Sequence, residues 1–372
     1  MMNTVLLKNR NVGLDAIRGG AIMMVLIAHG LVFLPAKYSY YLDMLGFFGV
    51  ELFFCLSGFL LGSILFKEFA LKKFSFTTLK IFWIRRWFRT LPLYFIFLLL
   101  NILVLQYCFG SKEWNWTYFL FLQNFITPYP SMMPEGWSLA VEEWFYISFP
   151  LMLFTLLRFF RNKTHGFITL TIIYIISFTS IRAYIALTPM DLGNWDAYIR
   201  KVVYLRLDAI GYGVLGAYFV ANVKKSVICK NALFLLGISI IVFTIGLIFY
   251  FMNTQVKPYY MRAFIFSLAS IGFTLIIIKS TDLQIKNSLV AKIIKNISLY
   301  SYSAYLLHLS VIIPLLYSFE VFKSPTIIKF FIYIFIVFIV SSYIYTYIEK
   351  PIMDIRNRFG KETQYQKYLK SE

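Results

Sequence analysis

The sequence predicts an all-α polytopic membrane helix bundle, with about ten transmembrane helices and both termini cytoplasmic. Three observations carry that reading. Of 372 residues, 60% are hydrophobic and only 14% charged, whereas a soluble domain holds about 45–50% and about 25%. Apolar runs of about 20 residues, the length that crosses a bilayer core, recur along the whole chain. Basic residues collect in alternate connecting segments, as they do on the cytoplasmic side of membrane proteins. A net charge of +19 would suit nucleic acid in a soluble protein. Here 25 of the 36 Lys and Arg fall in cytoplasmic segments and 8 in outer ones, leaving Arg18, Arg182 and Arg206 inside spans. The charge is topology, so the lipid bilayer is a partner and nucleic acid is not.

The expected spans cover about 13–34, 46–66, 87–109, 141–158, 166–187, 203–222, 231–251, 262–279, 298–318 and 327–348. Trp114 to Trp137 is rich in Trp, Tyr and Pro and reads as an interfacial or re-entrant loop, because aromatics favour the headgroup level. No linker, low-complexity segment or repeat divides the chain. Residues 1–372 are therefore expected to form a single membrane-embedded domain, its helices spanning about 13–350, with no appended soluble domain. Cys55, Cys108 and Cys229 are too few and too scattered for a disulfide framework. His29, His165 and His308 lack metal-ligand spacing, so no metal is expected; His165, in a basic turn, reads as solvated.

Ionisable groups inside spans are the candidate functional residues, because the bilayer penalises them by several kcal/mol. The first span, GLDAIRGGAIMMVLIAHG, carries Arg18 and His29. Eleven residues at 100° each bring both to one helix face, about 16 Å apart along the axis. Glu51 opens the second span at a depth similar to His29, so a Glu51–His29 pairing is expected. Ser57, Gly58 and Gly62 in that span read as packing residues.

Arg85, Arg86 and Arg89 form a compact cationic cluster at the start of the third span. Such a cluster suits a phosphorylated cytosolic ligand and anionic lipid equally well. Glu142 and Glu143 in WSLAVEEWFY stand about 100° apart, so one can face the bundle and orient a histidine base. Ser301, Tyr305 and His308 make a polar stripe on the ninth span. Glu349 is placed to meet an arginine of the third. Arg206 and Asp208, two residues apart, do not face each other.

These motifs together resemble the acyltransferase 3 family of integral-membrane O-acyltransferases. The elements run in family order: LDAIR-x10-His around Arg18 and His29, GVELFFCLSGF, RRWFRTLPLY, WSLAVEEWFY followed by Pro150, RLDAIGYGVLGA, ISLYSYSAYLLHLSV and EKP. Tyr212 stands where an aliphatic residue is commoner. The resemblance implies transfer of an acyl group, most often acetyl, from acyl-CoA (acetyl-CoA) as co-substrate, with no tightly bound cofactor. The acceptor it implies is a hydroxyl of a surface or lipid-linked glycan of the O-antigen, capsule or exopolysaccharide type, at a bacterial plasma (inner) membrane.

On that resemblance His29, with Glu142 or Glu143, is the expected catalytic group. Arg18, Arg85, Arg86, Arg89, Glu51, Trp137, Ser138, Tyr305 and His308 are the expected binding residues. Relatives with an extra esterase-like domain relay through it, and no such stretch is present in this sequence. A transporter or flippase of lipid-linked sugar would account for the polar span residues too. A purely structural scaffold would not explain two deep histidines and three arginines within spans.

Overall fold

The computed structural model describes residues 10–35, 42–70, 75–109, 115–126, 132–188, 196–222, 227–254 and 258–356. Trp114 and the side chain of Cys108 lie outside that description. Among the described residues the regular structure is entirely helical. In chain order the long helices are α1 (Val12–Gly30), α2 (Met44–Leu65), α3 (Phe76–Phe109), α4 (Gly136–Leu156) and α5 (Lys163–Ala186). They continue with α6 (Leu207–Asn222), α7 (Val227–Thr254), α8 (Tyr259–Ser280), α9 (Ser288–Leu307) and α10 (Ile327–Ile344). Each of the ten expected spans corresponds to one of them. Nine are long and apolar enough to cross a membrane; α6 is not among these nine. Its 16 residues reach only about 24 Å, but it is buried along most of its length among α2, α5 and α8. It therefore meets protein where the other helices meet lipid.

Side-chain size explains the order of packing. Helices α2 and α6 make the most intimate pair in the bundle, because glycines face each other across the contact. A Cβ at Gly58 would stand 1.9 Å from the Ile210 carbonyl oxygen, and one at Gly213 would stand 2.0 Å from that of Cys55. Gly62 touches Val214 in the same way. Small residues are the usual means of close approach where lipid supplies no hydrophobic drive between helices. Helix α1 lies on α2, and α9 lies on α1. At the other extreme, α7 packs chiefly on α8 and only 11% of its apolar window is buried, so it presents its side chains to lipid.

The loop before α4 is more deeply embedded than an interfacial segment. Tyr118, Gln123, Asn124 and Glu135 are all buried. The Tyr118 hydroxyl donates to the Met132 carbonyl, and Asn124 Nδ2 donates to the carbonyls of Trp137 and Lys201. Two left-handed residues, Phe121 (φ 56°) and Met133 (φ 52°), turn the chain back toward the bundle.

Replacing Gly213 with alanine must separate α2 from α6 by more than side-chain adjustment allows. Overpacking typically costs about 1–3 kcal/mol, and the clash here is with backbone. Thermal unfolding of the detergent-purified protein should show a clear loss for Gly58→Ala and Gly213→Ala. Gly246→Ala, where a Cβ meets nothing within 4 Å, should leave the midpoint unchanged.

Candidate active site

Three cavities lie in series along the bundle. The first, about 440 Å³, is lined by Arg85, Arg86 and Arg89 of α3, together with Arg356, Glu68 and Phe82. The second, about 80 Å³, is lined by Arg18, Ser57, Ser138, Glu142, Ser301 and Tyr305, and again by Arg86 and Arg89. The third, about 470 Å³, lies at the opposite end, against His29, Phe47, Asp196, Arg200, Lys201 and Met261. The arginines shared by the first two cavities make the throat between them. Tyr305 bridges toward the third: it lines the second, and its ring lies 5.6 Å from that of His308, the hydrogen-bond partner of His29.

At the arginine end, Asp15 organises α1. Its carboxylate accepts from Arg10 Nε at 2.6 Å and from Ser298 Oγ at 2.7 Å, with Arg18 Nη1 3.7 Å away. Arg18 also donates to Ser298 Oγ at 3.3 Å. These contacts hold the Arg18 guanidinium against α9 and beside the central cavity.

The two adjacent carboxylates of α4 separate as their 100° offset demands. Glu142 faces the central cavity and accepts from Ser57 Oγ at 2.8 Å and from the Tyr146 hydroxyl at 2.6 Å. Arg86 in turn donates to the Tyr146 hydroxyl, which links Glu142 to the arginine cluster. Glu143 faces away from the cavity and accepts from Thr90 Oγ1 at 2.8 Å. Ser57 is therefore more than a packing residue, whereas Gly58 and Gly62 are as expected.

At the histidine end the expected pairing of Glu51 with His29 does not form. Glu51 accepts from Arg206 Nη2 at 2.5 Å, both side chains fully buried, and from Ser270 Oγ at 3.4 Å. A buried arginine outcompetes a histidine for that carboxylate because it is a permanent charge with nowhere to be hydrated. Glu51 is thus a structural counter-ion, away from the cavities. Arg182 is held in the same manner, on Asp208 at 2.6 Å, Ser267 and two backbone carbonyls. Arg206 and Asp208 are not partners, as their spacing requires.

Neither Glu142 nor Glu143 reaches His29. The partner of His29 is His308, Nδ1 to Nε2 at 2.9 Å. His308 is fully buried and lines no described cavity, contrary to the substrate-lining role expected for it. Tyr305 and Ser138 share a hydrogen bond of 2.5 Å at the central cavity. Trp137 is buried edge-on to Phe54 and carries the Arg200 guanidinium 5.3 Å from its ring; it is not in the lining of the three cavities. Glu349 accepts from Ser303 at 2.7 Å and acts on Arg89 through its charge. His165 is exposed.

Sequence reasoning missed the charged group beside His29. Asp196 binds Arg200 at 2.6 Å and Lys201 at 2.9 Å. Burial would push the Asp196 carboxyl up, but the two cations outweigh it and hold it at about 2. The Asp196 carboxyl is therefore held as a carboxylate at neutral pH. Its signal is the i, i+4, i+5 charge pattern of DAYIRK, whose Arg200 and Lys201 fall among the outer basic residues. Arg356 is a further omission, a fourth arginine on the cavity of Arg85 and Arg89.

The chain matches the family of acyltransferase domains over residues 11–346. It belongs to the acyltransferase 3 family. It is 29% identical over 366 residues to a Staphylococcus aureus (strain COL) protein named for O-acetyl transfer, covering 91% of this chain and 56% of that one. It is 27% identical to the O-acetyltransferase OatA of Staphylococcus aureus strain NCTC 8325, over 91% and 57% of the two chains. To the peptidoglycan O-acetyltransferase OatA of Listeria monocytogenes it is 30% identical over 167 residues, 40% of this chain and 25% of that one. The chain thus spans little more than half the length of the staphylococcal relatives. No solved structure matches it.

Removing one member of the buried Glu51–Arg206 pair strands the other charge, a loss of about 3–5 kcal/mol. Glu51→Ala and Arg206→Ala should each abolish a monodisperse size-exclusion peak. The double replacement Glu51→Met/Arg206→Met should recover much of it.

Proposed function

We propose that this chain is a multi-pass O-acyltransferase of a bacterial plasma membrane, moving an acyl group, acetyl above all, from cytosolic acyl-CoA to a hydroxyl of a surface or lipid-linked glycan. The observation that carries the reading is the series of cavities, with arginines at one end and a histidine at the other. The names of the relatives support acetyl as the group and glycan as the acceptor class.

The arginine end faces the cytoplasm, following the basic-residue bias. Its 440 Å³ cavity falls within the range of small-molecule sites, and its arginine forks suit the nucleotide phosphates of coenzyme A. The 80 Å³ central cavity is far too small for a nucleotide, so only the thin pantetheine arm passes Arg18. The helical rise between Arg18 and His29, about 16 Å, suits the reach of that arm. His29 takes the proton of the acceptor hydroxyl as it attacks the thioester carbonyl, and the coenzyme A thiolate leaves. The 470 Å³ cavity holds the acceptor, its lining combining the charged Asp196, Arg200 and Lys201 with the apolar Phe47 and Met261. Glu142 contributes at the central cavity through Ser57 and Tyr146, and Glu143 by bracing α4 on α3.

Membranes carrying the protein should incorporate label from [acetyl]-labelled acetyl-CoA into glycan. His29→Ala should lower the rate by about 10²–10⁴-fold, the usual worth of a general base. Arg89→Ala should raise KM for acyl-CoA about 10- to 100-fold, as expected for lost charge-assisted hydrogen bonds. Normal label transfer by a folded His29→Ala protein would overturn the mechanism. Glycan export dependent on the protein, with no label transferred from any acyl-CoA, would favour a transporter instead.

A further inference from the structure

A histidine base is normally oriented by a carboxylate, yet among the described residues no carboxylate bonds to His29. We infer that His308 takes that place, as a positioning residue that fixes the tautomer of His29 and leaves Nε2 as its basic nitrogen. The inference rests on His29 being the base of the transfer reaction.

Each hydrogen bond constrains the next. His308 Nδ1 lies 2.7 Å from the carbonyl oxygen of Tyr305 and 3.2 Å from that of Ala304. A carbonyl oxygen only accepts, so His308 Nδ1 carries a proton. His308 Nε2 faces His29 Nδ1 at 2.9 Å, and one proton is shared along that line. If His308 supplied it, His308 would be an imidazolium, fully buried and without an acidic partner. Burying an unpaired charge is costly. The proton therefore belongs to His29 Nδ1, which donates to the lone pair of His308 Nε2. In neutral imidazole one nitrogen donates and the other accepts, so His29 Nε2 holds its lone pair. His29 lines the outer cavity, and Nε2 is the ring nitrogen not engaged by His308.

The backbone is shaped to make this contact. His308 opens a π-helical turn, His308–Ile312, at the end of α9. Such turns are frequent at functional sites. His29 lies in the last turn of α1, beside Gly30, where a Cβ would come within 2.7 Å of the Tyr333 ring. The two rings stand 4.9 Å apart, tilted by 37°.

The test reads the tautomer directly. The chain has three histidines, so ¹⁵N-histidine solid-state NMR of the full-length protein in bilayers is tractable, with His165→Gln and His29→Ala assigning the signals. Wild-type His29 should show a protonated Nδ1 and an unprotonated Nε2. His308→Phe keeps an aromatic ring but no acceptor. It should move the proton to Nε2 and lower kcat about 100-fold, with KM for acyl-CoA within twofold. His308→Gln, whose amide can both donate to the Tyr305 carbonyl and accept from His29, should restore kcat to within about tenfold of wild type. A proton on His29 Nε2 in the wild type overturns the inference even if His308→Phe fails to fold. Full activity of folded His308→Phe overturns it too, and leaves His29 as base if His29→Ala is inactive. Activity of His29→Ala overturns the base instead, a separate result from the tautomer spectrum.

Discussion

The architecture depends on one buried ion pair. Glu51 and Arg206 meet inside the bundle with no exposure to solvent or lipid. Such a pair is poor as a source of net stability but severe as a constraint, because neither charge tolerates being left alone. It ties α2 to the start of α6 at the end of their contact where α6 begins, while the glycine contacts at Gly58, Gly62 and Gly213 bring the two backbones together further along. Arg182 and Asp208 extend the constraint to α5 and, through the Ala263 carbonyl and Ser267, to α8. On this core α1 packs along α2, with Gly49 of α2 close against Ala21 and Val25, and α1 carries both Arg18 and His29.

The chemistry follows from how the remaining polar groups are shared. Glu142 belongs to the arginine end through Tyr146, so a charge bound by Arg86 is felt two hydrogen bonds away at the central cavity. The histidine end is organised by a neutral ring and by an ionic cluster of Asp196, Arg200 and Lys201. The two ends are thus electrostatically distinct: arginines in excess at one, a mixed cluster of one carboxylate and two cations beside a histidine pair at the other. That asymmetry is what the proposed transfer from an anionic carrier to a polyhydroxyl acceptor requires.

Much of this was legible from residue order. Apolar runs located the ten long helices, nine of which are long and apolar enough to cross a membrane among the described residues, and an eleven-residue spacing placed Arg18 and His29 on one face. Local rules also held for Arg206 and Asp208, and for the divergence of Glu142 and Glu143. What the sequence could not reveal was which distant residue each buried charge would choose. Glu51 was matched to His29 by depth alone, but depth does not decide between a histidine and an arginine arriving from another helix. His308 belongs to the polar stripe of α9, but its ring is engaged by His29 of another helix rather than by a cavity, a choice the stripe alone does not encode. Asp196, Arg200 and Lys201 lie outside every span, where the bilayer gives no reason to single out a charge.

The throat between the first two cavities has a consequence beyond catalysis. A polar route running from one face of a membrane toward the other is a hazard, since any water-filled channel would dissipate the gradients the cell maintains. Here the route narrows to a space of about 80 Å³ bounded by Arg18, Arg86 and Arg89. Fixed guanidinium charges at a constriction repel protons and metal cations, the device that selective pores use to exclude them. The same groups attract an anionic carrier. Under the proposed function, the same constriction admits an anionic donor while opposing cation leakage.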